Sequence, residues 1–159
     1  MPKLLEKKTN RLSNQVSLHT IGYEGRDIDE FVNRLRDFGI GVLVDVRDIP
    51  LSRKEGFSKT PLSQYLKENN IEYVHLKELG SPKPLREKVK SDGDYEYFFK
   101  EYSVYIQTQG QAVEDLYQIT INNNSCIMCF ERDPFSCHRL IVAQEIKKKD
   151  GNGLTIKHI

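Results

Sequence analysis

The sequence predicts a single α/β domain with a mainly parallel sheet flanked by helices. Three observations predict it. Short apolar runs alternate with amphipathic stretches along most of the chain, and strands that alternate with helices build parallel sheets. One run, Val42-Leu-Val-Asp-Val46, is nearly continuous, which suits a strand covered on both faces. The length of 159 residues suits one domain with a sizeable core.

The first stretch, residues 1–14, is polar and basic without periodicity and is expected to be a flexible arm. The domain is expected over residues 15–159. Val16 to Ile21 reads as the first strand, followed by a turn at Gly22-Tyr-Glu-Gly25. Asp27 is placed to cap a helix, with Glu30 at the capping-box position. Ile28, Phe31, Val32, Leu35 and Phe38 then recur at helical spacing, and Gly39 stands where a helix-ending glycine belongs. Val42–Val46 is the second strand, and Arg47 to Phe57 a long polar loop. Thr60-Pro61 predicts the start of a helix, with Leu62, Tyr65 and Leu66 as its buried face. Ile71 to Leu76 is the third strand. Lys77 to Asp94, with Pro82, Pro84 and Gly93, reads mostly as loop, with a short helix near Leu85. The stripe Tyr95, Phe98, Phe99, Tyr102, Tyr105 and Ile106 predicts one buried helical face rather than a base-stacking groove. Val113, Leu116 and Tyr117 continue or restart that helix after Gly110. The fourth strand opens at Cys126. A helix runs from Leu140 through about Lys149, and Leu154 to Ile159 closes the sheet.

Composition narrows the function classes. Hydrophobic residues are 38% and charged residues 30% of the chain, so it is globular rather than disordered. A formal net charge of +1 gives no global pull toward nucleic acid or membrane. No apolar run approaches a bilayer span, and the N-terminus lacks a signal-peptide core. Three cysteines, an odd number, argue against a secreted disulfide framework and for a cytoplasmic protein.

The chemistry collects after the strands. In a parallel sheet the strand C-terminal ends share one edge, where ligands bind. Asp45 and Arg47 end the second strand, His75 the third, and Glu131, Cys137 and His138 follow the fourth. Asp45 lies inside an apolar run, where an unpaired carboxylate is costly, and Arg47 points to the same face. The pair reads either as a structural ion pair or as a general base positioned by its neighbour. Ser52 and Arg53 offer a hydroxyl and a charge suited to phosphate or carboxylate. Cys126 and Cys129 should point to opposite faces of their strand, so Cys-x-x-Cys is not expected to act as a redox pair. Cys137, at a helix start between arginines, is a candidate nucleophile. Cys129, Cys137 and His138 could instead supply three zinc ligands, with His75, His158 or Glu131 as a fourth, although their spacing matches no common zinc pattern. No metal or cofactor is assigned on this basis.

Taken together, Thr20-Ile-Gly22, Leu43-Val-Asp-Val-Arg47 with Pro50 and Ser52-Arg53, Tyr73-x-His75-Leu with Leu79-Gly80, Cys129-x-Glu131-x-Asp-Pro134 and Cys137-His-Arg139 resemble the family catalogued as domain of unknown function 488. The turn Tyr23-Glu-Gly25 departs from the His/Asn/Ser-type turn usual there. The resemblance implies a shared site built from Asp45, Arg47, Ser52, Arg53, His75, Glu131, Cys137, His138 and Arg139, and it assigns no reaction. The expectation is an enzyme acting on an anionic substrate, a nucleotide or nucleic acid. In it Asp45 or Glu131 is the acid/base, Cys137 with His138 the reactive pair, and Arg47, Ser52, Arg53, His75 and Arg139 bind substrate. A non-catalytic nucleotide or nucleic-acid binding module and a small metal-binding regulator are the alternatives.

Overall fold

A computed structural model describes residues 16–159; the expected N-terminal arm lies outside the described residues. Strand β1 (Ser17–Gly22) leads to helix α1 (Ile28–Asp37), which opens on the expected capping box. The Asp27 carboxylate accepts from the Glu30 N–H at 2.8 Å, and the Asp27 N–H reaches back to the Glu30 carboxylate at 3.4 Å. Gly39 ends the helix in the left-handed region, with φ of 67°, which glycine adopts without Cβ strain. Strand β2 (Val42–Asp45), helix α2 (Lys59–Glu68) and strand β3 (Glu72–His75) follow.

Three helices cross back: α3 (Lys83–Asp92), α4 (Tyr95–Ile106) and α5 (Gly110–Asn122). Strand β4 (Ser125–Cys129), helix α6 (Arg139–Lys149) and strand β5 (Thr155–His158) complete the chain. The sheet has the order β3-β2-β4-β1-β5, and every neighbouring pair is parallel. The single parallel α/β domain expected from the alternation is therefore present.

Two expectations about helices need correction. Helix α2 is capped by Ser58, so Thr60 and Pro61 already lie in its first turn. The Ser58 hydroxyl leaves the helix end to bond the Ser52 carbonyl at 3.2 Å, which closes the preceding loop. Proline is tolerated there because first-turn N–H groups have no intrahelical partner anyway. The Lys77–Asp94 segment is not mostly loop: α3 takes ten of its residues. Its prolines sit at the cap and in the first turn, and Gly93 ends it with φ of 68°.

Two cores sandwich the sheet. Leu43, Cys126 and Met128 face α1 and α2, packing on Phe31, Leu35, Leu62 and Leu66. Val42, Val44, Ile127 and Cys129 face the other way, against Tyr102 and Ile106 of α4, Leu116 of α5 and Val142 and Ile146 of α6. Cys126 and Cys129 thus point to opposite faces, as period-two alternation requires. The aromatic stripe of α4 packs inward through Phe98, Tyr102 and Ile106.

The strand order creates a switch point. The connection leaving β2 runs over the α1–α2 face, while the connection leaving its neighbour β4 runs over the α6 face. The two loops diverge and leave a crevice at the strand C-terminal edge, the usual place for a ligand in such sheets.

Candidate functional site

The crevice holds a cavity of about 440 Å³. Tyr23 after β1, Arg47, Asp48, Ile49 and Leu51 after β2, and Cys129, Phe130 and Glu131 at the end of β4 form one side. Helices α3 and α4 supply Lys83, Arg86, Lys90, Tyr95 and Phe98 to the other, and His138 reaches in from the start of α6. Another depression, lined by Ser63, Gln64, Lys67 and Tyr73, lies beside α2 and the start of β3 and holds no comparable cluster of functional groups.

Arg47 is fixed before any ligand arrives. Its guanidinium donates to both Asp45 carboxylate oxygens, Nε to Oδ1 at 2.9 Å and Nη2 to Oδ2 at 2.8 Å. The Arg47 N–H adds a third bond to Asp45 at 3.0 Å, and the Tyr73 hydroxyl a fourth at 2.6 Å. Nη1 donates to the Tyr23 hydroxyl at 3.2 Å. Burial works against the Arg47 charge, but the Asp45 carboxylate outweighs it and holds the guanidinium pKa above its ordinary value. Burial, then the bond to Asp45, pushes the Tyr73 phenol up, so Tyr73 remains a donor.

Two histidines pin the backbone at the same strand end. His138 Nε2 lies 2.7 Å from the Val46 carbonyl, and His75 Nε2 lies 2.7 Å from the Arg47 carbonyl. Each ring nitrogen must donate to its carbonyl, which fixes the tautomer. Burial pushes the His138 imidazole down to about 4, so the ring is neutral and its Nδ1 carries a lone pair. That Nδ1 lies 3.7 Å from Cys137 Sγ, and Cys137 is joined to Cys129 by a disulfide, which leaves Cys126 as a free, buried cysteine.

Arg139 holds the loop between β4 and α6. It is 1% exposed. Its Nη1 donates to the Glu131 carbonyl, its Nη2 to the Arg132 carbonyl at 3.0 Å, and its Nε to the Thr20 hydroxyl at 3.2 Å. The half-buried Glu131 carboxyl points into the cavity, 3.3 Å from Cys129 Sγ. Burial is the chief cause that pushes its pKa up.

Of the residues expected at the site, the cavity thus collects Arg47, Glu131 and His138 on its wall, while Asp45 and His75 stand directly behind Arg47. Arg139 and Cys137 are buried beneath the Glu131 loop. Ser52 and Arg53 do not line the cavity; the Ser52 hydroxyl accepts from the Lys54 N–H at 3.1 Å and so orders its own loop. Sequence reasoning missed Lys83, Arg86, Lys90 and the cavity role of Tyr95 and Phe98. The proline pair Pro82 and Pro84 ahead of Leu85 and Val89 was the available signal, since proline marks a helix start.

The fold and this edge define a class: a parallel α/β protein whose polar groups converge at a topological switch point. Residues 27–146 match the family described as domain of unknown function DUF488, and the chain belongs to that family. No curated protein and no solved structure matches it.

Proposed function

We propose that the chain is an enzyme that binds an anionic substrate of the nucleotide or nucleic-acid type in this cavity. The observation that carries the reading is the pairing of Arg47 and Glu131 on one wall, below a rim of Phe130, Tyr95 and Leu51. These rim side chains are 47%, 40% and 70% exposed. Exposed aromatic rings beside cations suit a base with a phosphate attached. Arg47 offers a guanidinium whose orientation is already set, and Lys83, Arg86 and Lys90 face it across the cavity. Arg86 is already engaged by Asp48 at 3.0 Å and Lys83 pairs with Glu87 at 3.7 Å, which leaves Lys90 as the more available charge.

In this reading Glu131 is the acid/base group, because its carboxyl lies in the cavity rather than behind it. Asp45 is a positioning residue: Arg47 and Tyr73 occupy its oxygens, so it orients the anion clamp. Cys137 and His138 act from beneath the wall. A reducing, cytoplasmic setting fits the odd cysteine count. Among the described residues no helix is long and apolar enough to cross a membrane.

The test is a panel of nucleotides and short oligonucleotides, screened by thermal shift and then for turnover by mass spectrometry. Phe130→Ala and Lys90→Glu alter exposed groups and leave the core intact. Both should weaken binding of a hit about tenfold, the scale of one stacking or charge contact. Glu131→Gln should retain binding and lose turnover. Binding without turnover in the natural protein would leave the non-catalytic module. A panel without hits, or hits indifferent to Phe130 and Lys90, would overturn the reading.

A further inference from the structure

We propose that Cys129, Cys137 and His138 form a binding site for a zinc ion, with its fourth coordination position open toward the cavity beside Glu131. One ligand atom from each of the three residues lies within 4.8 Å of the others. The donors come from rigid places: Cys129 ends strand β4, and Cys137 and His138 immediately precede α6. Two thiolates and an imidazole are the donor types that zinc prefers.

The surroundings of the donors point to the same use. His138 spends its Nε2–H on the Val46 carbonyl at 2.7 Å, so the lone pair on Nδ1 faces the sulfurs. A backbone carbonyl behind the far nitrogen is the usual support of a metal-binding histidine. Both sulfurs also receive N–H groups. Arg139 Nη1 lies 3.1 Å from Cys129 Sγ, and the Arg139 backbone N–H lies 3.4 Å from Cys137 Sγ. Thiolates accept such bonds strongly, because the acceptor is charged.

Charge leads to the same conclusion. Arg139 is buried, and among the described residues no carboxylate lies within ion-pair distance of its guanidinium. A buried cation needs opposite charge nearby, and thiolates beside it provide that. Two thiolates and one guanidinium leave one negative charge. A divalent ion reverses this to one positive charge, which an anionic fourth ligand then neutralises. The Glu131 carboxyl, 3.3 Å from Cys129 Sγ, or an anion in the cavity can occupy that place.

The competing state is the disulfide that joins the two sulfurs in the structure, and zinc would bind the reduced pair. Their Cα atoms stand 7.5 Å apart, beyond the range of about 4.4–6.8 Å usual for a disulfide. An ion bonded to both sulfurs at about 2.3 Å holds them roughly 3.8 Å apart and spans a wider gap between backbones. Cys129 and His138 both line the cavity, so an ion can reach the site from solvent.

The experiment uses the full chain, purified under reducing conditions. Metal analysis should find one zinc per chain. After chelation, Co2+ titration should restore one equivalent and produce sulfur-to-cobalt charge-transfer absorption. Zinc should protect two of the three cysteines from alkylation, and chelator should release them, a readout that needs no variant. Cys137→Ser should lower metal affinity at least tenfold, while Cys126→Ser, on the opposite face of the sheet, should leave one zinc bound. Absence of stoichiometric zinc or cobalt uptake would overturn the proposal. So would a Cys129–Cys137 disulfide in protein isolated from a reducing cytosol. Neither result depends on the nucleotide screen, and failure of that screen leaves this site untouched.

Discussion

Two buried arginines, Arg47 and Arg139, are satisfied in opposite ways. Arg47 sits on a carboxylate that takes the Nε and Nη2 edge of its planar fork, and Asp45 is in turn saturated by the Arg47 backbone and by Tyr73. Removing the Tyr73 hydroxyl deletes one hydrogen bond to a buried charge. Tyr73→Phe should therefore cost about 1.5–3 kcal/mol, read as a lower urea midpoint with an unchanged slope. A cost within error of zero would mean that Asp45 does not need its fourth donor. Arg139 instead gathers two carbonyls and a sulfur from the end of β4 and its following loop, and a hydroxyl from β1. A lysine there cannot reproduce a rigid fork and would leave buried carbonyls unpaired, at about 1–3 kcal/mol each. Arg139→Lys should destabilise the fold by roughly 2–5 kcal/mol and accelerate amide exchange between β4 and α6. Exchange that rises uniformly across the sheet would argue against this local role.

At the scale of elements, close approach decides more than propensity does. Gly22 ends β1 directly against the backbone of the loop that follows β4, and a Cβ there would run into the Glu131 carbonyl. Gly80 meets the Asp48 backbone in the same way. Both glycines thus hold cavity loops against their neighbours. Gly22→Ala should cost at least about 1–3 kcal/mol, the scale of overpacking, and should displace Glu131. Unfolding curves that superimpose on those of the natural chain would sink that account. Such contacts explain what the sequence could and could not convey. Strands were legible because a sheet covered on both faces requires apolar runs, and α1 because its cap is written in neighbouring residues, Asp27 and Glu30. Helix α3 was not, since none of its residues is fully buried and its apolar pattern is weak. The same blindness hid one whole wall of the cavity. Asp45, Arg47, Glu131 and His138 were legible because polar residues interrupt or follow apolar strands. The long-range encounter of Arg139 with Thr20 was not, because it follows from how β1 and α6 assemble.

At the scale of the whole molecule, two cores enclose the sheet, so a titratable group on a central strand is felt as global stability. His19 lies in β1, 5% exposed, and its Nδ1 has no hydrogen-bond partner. Its ring packs near Phe38, with centroids 5.8 Å apart. Burial pushes its pKa below the ordinary value, against a raising contribution from the Ser125 backbone, and Lys157 adds to the lowering. In the unfolded chain the imidazole titrates near about 6.5. Below that pH the unfolded chain binds a proton that the folded chain refuses, and proton uptake by the unfolded state draws the equilibrium toward it. The stabilising effect of a neutral His19 is therefore complete above about pH 6.5 and is lost as the pH falls toward its lowered folded value. Carboxylates also titrate in acid, so the natural chain alone cannot isolate this contribution; a comparison with His19→Leu can. Leucine keeps the site apolar and has no proton to bind. Urea unfolding of both proteins between about pH 7.5 and 5 should show the natural chain losing stability relative to His19→Leu as the pH drops. A gap that stays constant over that window would mean that His19 takes up its proton equally well in the folded sheet.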